Sequence, residues 1–179
     1  MTQTPGSAAV EANARQLADR SQPEETRAKA AEALAASAPG EWLSLPEESR
    51  DELAEGILWV IPDADASEDL RALAAKALRV PIADLSMEIN EEVLAVLSRA
   101  ILEGVENKRS RLLAEACQLV SASRIMKCED EPLVKGVSEA VFEAVLLGKS
   151  TDDATFTPHA DDAFGRSRNR LNQLHGDWD

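Results

Sequence analysis

Few side chains in this sequence are of the types that metal or nucleophilic chemistry uses, and their spacing does not suit it. Both histidines, His159 and His175, fall after Ser150. A di-iron carboxylate centre in a helical bundle needs Glu-x-x-His pairs on facing helices, and the chain holds none. The run His159–Asp162 offers a cation an imidazole and two carboxylates, but in a polar stretch such groups are ordinarily solvated. No metal and no cofactor is expected. Cys117 and Cys128 lack metal-type or disulfide-framework spacing. Cys117 occupies a place where other helices carry alanine, which makes it a packed thiol. Cys128, between Lys127 and Glu129, reads as an exposed thiol that could react, but no histidine is near it in sequence. No glycine-rich phosphate loop exists, so no catalytic residue is assigned and an enzyme is not expected.

What remains is recognition. A helix over 47–61 carries Leu53, Ala54, Ile57, Leu58, Val60 and Ile61 on one side, and Glu48, Asp51, Glu52 and Glu55 on the other. Trp59 falls among these acids. Either it is covered by the 38–45 link, which carries Trp42, or by a neighbouring element, or it is an aromatic anchor ringed by charge and suited to a basic partner. The second candidate is the stretch after Ser150, where Arg166, Arg168 and Arg170 alternate with apolar residues. It reads either as an unstructured end or as a docking peptide with Leu171, Leu174 and Trp178 as anchors. In the second case its arginines meet the acidic half of this chain or of a copy.

Charge narrows the partner. The formal net charge is −14, and residues 1–70 hold 15 acids against 5 bases. Such a surface repels a phosphate backbone, so direct nucleic-acid binding is disfavoured and a basic protein partner is favoured. The basic cluster Lys108, Arg109, Arg111, Arg124 and Lys127 is answered by Glu103, Glu106, Glu129, Asp130 and Glu131. No run of about 18 apolar residues spans a membrane, and no charged start leads into an apolar stretch, so the expected compartment is the cytoplasm. Oligomeric state is not specified by these features.

The elements that position these residues are helical. Tyrosine is absent, Phe and Trp number three each, and alanine and leucine dominate a chain that is 44% hydrophobic. The pattern predicts helices from Ser7 to Asp19, from Pro23 to the stop at 38–40, over 47–61, from Ser67 to Pro81, from an Asn90 cap to about Gly104, over 108–123, and from Pro132 to Leu147 with Gly148 as the stop.

Three of these helices share a pattern. Arg27, Arg71 and Arg111 stand 44 and 40 residues apart, followed by Ala30, Ala74 and Ala114, then Ala33, Ala77 and Cys117. The alternate helices align by triplets: Leu53, Ile57, Ile61; Val93, Leu97, Ile101; Val137, Val141, Val145. A period near 40 built from two helices marks an α-solenoid. The segments PEETRAKAAEALA (23–35) and SEDLRALAAKALR (67–79) resemble the second helix of HEAT-like (armadillo-type) repeats, with an acidic or proline start, Arg, an alanine pair and Ala-Leu. KRSRLLAEACQLV (108–120) is a degenerate copy in which Glu115 replaces an alanine. The resemblance spans roughly 21–148 and implies a short curved stack serving as scaffold or adaptor.

The expected architecture is therefore all-α, a short HEAT-like solenoid of helical hairpins, with a compact six- to seven-helix bundle as the alternative. Residues 1–20 are read as an extension or capping helix, 21–149 as the repeat domain and 150–179 as a flexible tail. The expected function is a non-enzymatic adaptor, scaffold or subunit binding a protein through its acidic, Trp-bearing face or its tail. The alternative is an acidic inhibitor that imitates duplex charge and blocks a nucleic-acid-binding protein.

Overall fold

The computed structural model describes residues 5–176, and these are all-α. The helices are α1 (Pro5–Ala18), α2 (Glu24–Ala35), the short α3 (Pro39–Leu43), α4 (Glu47–Leu58), α5 (Glu68–Leu78), α6 (Met87–Glu106), α7 (Ser110–Ala122), α8 (Glu131–Thr151) and α9 (Thr157–His175). Single 3-10 turns at Ile82–Asp84 and Ile125–Lys127 link α5 to α6 and α7 to α8. Local chemistry explains the starts. Pro23 and Pro46 precede α2 and α4 with backbone angles fixed by the ring. Ser67, Ser86 and Asp130 each accept a bond from the amide three residues on, satisfying one free donor of the first turn.

The long helices pair as hairpins, α1 with α2, α4 with α5, α6 with α7 and α8 with α9. The hairpins stack so that α1, α4, α6 and α8 form one row and α2, α5, α7 and α9 the other. The helices marked by Arg27, Arg71 and Arg111 thus lie side by side. One continuous core runs between the rows, from Val10, Ala14 and Leu17 of α1 to Val141, Val145 and Ala163 at the other end. Trp42 of α3 joins it, its indole Nε1 donating to Ser37 Oγ at 2.9 Å.

Polar side chains lace neighbouring hairpins. Glu24, in the first turn of α2, accepts the Ser67 amide at 3.4 Å, and Glu68, in the first turn of α5, accepts those of Arg111 and Leu112 at 3.0 and 3.2 Å. Each carboxylate thereby meets unsatisfied donors at the start of the next helix. Arg27 and Arg71 are buried, and each donates through Nε to a carbonyl ten residues back, on Leu17 and Ile61 respectively.

Four expectations are corrected. Arg111 is not the third copy of Arg27 and Arg71; its side chain is exposed and pairs with Asp69. Burial places Leu113, Ala116, Cys117 and Val120 where α5 has Arg71, Ala74, Ala75 and Leu78, so the frame lies two residues later than the arginines suggest. Asn90 is not a helix cap, because Ser86 opens α6; its buried amide oxygen accepts the Arg124 backbone N–H at 2.9 Å. Gly148 does not stop α8, which runs on to an αL cap at Asp152. Gly148 is buried where a Cβ would collide with Thr157 and approach Phe156 to 3.2 Å, so the glycine lets α9 start against α8.

The fourth correction is the largest. Residues 150–176 are not a loose tail. α9 packs along α8 and α7 through Ala160, Ala163 and Ser167, and completes a fourth hairpin. At the other end, α1 is an ordinary partner of α2 and α4. Among the described residues no helix is long and apolar enough to cross a membrane.

Candidate protein-binding surface

Helix α4 lies in the first row between α1 and α6. Its inner side buries Leu53, Ala54, Ile57 and Leu58, which leaves Glu48, Glu52, Glu55 and Trp59 facing water. Trp59 closes the helix as its C-cap and keeps 45% of its surface exposed. The link carrying Trp42 does not cover it: that link folds into α3 and puts Trp42, not Trp59, inside the protein.

The acids of α4 divide into two kinds. Asp51 is structural; its Oδ1 accepts the Ser86 amide at 3.2 Å and ties α4 to the start of α6. Glu52 lies 3.7 Å from Arg15 of α1, which also donates to Glu11. Glu48 and Glu55 are exposed and make no ion pair among the described residues. A shallow groove of about 350 Å³ runs between α1 and α4, floored by Ala14, Ala18 and Leu53 with Asp19 and Glu52 on its rim. Gly56 lets the two helices approach closely at this groove, the place for its Cβ lying 3.3 Å from the Ala18 methyl. Asp19 is held below the usual carboxylate range by bonds from the Ser21 side chain and amide. A further depression of about 520 Å³ is edged by Glu47, Glu48 and Asp51.

The second set of candidate residues lies elsewhere, on α9 in the other row, and most of it is spent on the fold. Leu171 and Leu174 are half-buried against the core, so they are not free anchors. Arg170 donates through Nε to the Cys128 carbonyl at 2.7 Å and so fastens α9 to the turn before α8. Arg166 pairs with Asp162, and Arg168 lies 5.9 Å over the ring of Phe164. These two alone remain at the surface as charged groups. Trp178 lies outside the described residues. The two sets do not form one surface, since α4 packs on α1, α5 and α6 while α9 packs on α7 and α8.

Sequence reading passed over a different feature. Phe142 and Leu146 on α8 and Leu102 on α6 are exposed apolar side chains. The signal was available: each follows directly on a member of the buried triplets, Val141, Val145 and Ile101, so the apolar stripe on these helices is wider than the core needs. Cys117 is packed as expected, whereas Cys128, expected from its charged neighbours to be exposed and able to react, is buried as well. Burial drives the Cys117 thiol up to about 12, and raises Cys128 as well, so neither is a thiolate at neutral pH.

No family model, no curated protein and no solved structure matches this chain.

Proposed function

We propose that this protein is a non-enzymatic interaction module, a short HEAT-like stack of hairpins that captures a protein partner bearing a lysine- or arginine-rich segment through α4. The observation that carries the reading is Trp59, a large aromatic left 45% exposed one turn after Glu55, with Glu48 in the first turn of the same helix; neither carboxylate makes an ion pair among the described residues. Tryptophan contributes disproportionately to interfaces because its ring removes a large area from water while adding little side-chain entropy. The neighbouring charges select a cationic rim on the partner and speed encounter at low salt. The layered packing of α2, α5 and α7 supports the HEAT-like reading, as does the shared bond from Arg27 and Arg71 to a carbonyl at or just beyond the end of the helix before each. Imitation of a nucleic acid is less well supported, because Asp51, Glu52 and Asp69 are already engaged by Ser86, Arg15 and Arg111 and so interrupt the free carboxylates between them.

A panel of helical lysine- and arginine-rich peptides, titrated against the whole chain, provides the test. Trp59→Ala should weaken capture about tenfold or more, the scale of an interface hot spot, while moving stability by no more than about 0.5 kcal/mol. Unchanged capture, or a collapse of the thermal midpoint, would remove Trp59 from any binding role.

A further inference from the structure

The exposed apolar groups on α8 lie against a small groove that the α4 reading does not use. Its walls are Ser138, Glu139 and Phe142 from α8, with Phe164 and Arg168 from α9, around a volume of about 220 Å³. The two phenylalanine rings touch across it, centroids 5.3 Å apart at 35°. Phe142 is 41% exposed, and Leu146, one turn further along α8, is 46% exposed. Burying aromatic pairs of this kind from water is the main favourable term in most associations.

The charges at this groove indicate what covers it. Glu139 stands on the α8 wall and Arg168 on the α9 wall. They do not pair with each other: the nearest cation to Glu139 is Lys135 at 4.0 Å, and the Arg168 guanidinium rests over Phe164. The groove is thus apolar at its centre, with one acid and one base on opposite sides and no net charge. Neither a basic nor an acidic partner is selected by such a pattern. A copy of the same surface, turned through a two-fold axis, matches it, because each arginine then faces the other copy's glutamate. The end of the chain that carries the groove is also the less acidic one. Residues 1–70 carry 15 acids against 5 bases and repel a second copy, whereas residues 71–149, which supply α8, hold 12 against 11, and residues 150–179, which supply α9, hold 6 against 3.

We infer that the α8/α9 groove joins two copies of this chain in an isologous dimer, with Phe142 and Phe164 of each covering those of the other and Arg168 reaching Glu139 across the axis. This leaves both α4 faces free for partners.

Sedimentation equilibrium of the whole chain across the micromolar range tests it. The wild type should pass from monomer to dimer with rising concentration. Phe142→Glu should remain monomeric at every concentration while keeping its helical circular dichroism. Glu139→Arg and Arg168→Glu should each weaken the dimer, and the double reversal Glu139→Arg with Arg168→Glu should restore it, which a merely structural role for either residue does not predict. A wild type that stays monomeric at the highest concentration overturns the inference. So does a dimer indifferent to Phe142→Glu, or one that the double reversal fails to restore.

Discussion

Two arginines 44 residues apart enter the core by the same route and end in different company. Arg27 and Arg71 each sit four residues after the cap of a second-row helix, and each gives its Nε hydrogen to a carbonyl at or beyond the end of the preceding helix. The Arg71 guanidinium then goes on to bond both oxygens of Glu103, at 2.7 and 2.6 Å. Arg27 makes no such pair, and its Nη2 is buried with no partner among the described residues. The triplet alignment explains the gap. The place that Glu103 holds on α6 falls to Asp63 after α4. α6 runs unbroken from Met87 to Glu106 and presents Glu103 from within a helix, whereas α4 ends at Leu58 and leaves Asp63 in the turn that follows. Asp63 is also shorter by a methylene, and it is engaged by Arg20 at 3.3 Å. The two layers share a sequence pattern, but the bond that closes each is supplied by the next hairpin, whose length differs.

The comparison is most directly broken at Arg71. Arg71→Leu strands the Ile61 carbonyl and leaves Glu103 with Arg109 as its only cation among the described residues. Removing one member of a buried pair costs about 3–5 kcal/mol, and because Glu103 retains 37% of its side-chain exposure the lower end, ~3 kcal/mol, is expected. Denaturant unfolding that shows a loss below about 1 kcal/mol would mean that water substitutes for the pair as it does at a surface bridge.

Arg27→Leu should cost far less. It forfeits one charge-assisted bond to Leu17, yet it also removes a guanidinium nitrogen that is buried without a partner. The first effect is worth about 1.5–3 kcal/mol and the second returns about 1–3, so a net loss of ~1 kcal/mol or less is expected. Equal losses for Arg27→Leu and Arg71→Leu in the same unfolding experiment would show that the bond to the preceding helix, not the glutamate, carries the stability of both layers.

The same contrast shows how far the sequence could be read. The starts of α2 and α5 were legible because Pro23 and Ser67 are strong local signals. α7 was legible as a helix but not in register. Arg111 matched by type, while the buried place of Arg71 had passed to Leu113, and a frame taken from one conspicuous residue follows that residue to the surface. α9 was missed because it fills its share of the core with Ala160, Ala163 and Ser167. Small residues at that spacing give close packing with almost no hydrophobic periodicity. Asn90 was read locally as a cap, and only the tertiary contact with Arg124 shows why it is buried. At the candidate surface, the outward side of α4 was legible from the wheel. The exposure of Trp59 was not, since it depends on which tryptophan the 38–45 link takes inside, and that choice is made by packing against α1. Asp51 looked like its neighbours until the start of α6 was placed beside it.

The smallest effect is the sharpest on the role of the glutamate, because it appears as a shape, not a loss. Bonds from the Arg71 guanidinium hold the Glu103 carboxyl below the usual carboxylate range, against the upward push of its partial burial, and the charges of Arg71 and Arg109 add to the lowering. In the unfolded chain the group returns to its ordinary value. A carboxyl lowered by folding contributes stability that is complete above the unfolded value and fades as pH falls through the folded one. Thermal midpoints of the wild type and Glu103→Gln, followed from neutral pH into acid, should therefore start apart with the wild type higher, and should converge as the wild type loses a contribution that glutamine never had. Other carboxylates titrate in both proteins, so the difference between the curves isolates Glu103. Curves that stay parallel would mean that Arg71 is held by shape and by the Ile61 carbonyl alone, and the contrast between the two layers would then be geometric without being electrostatic.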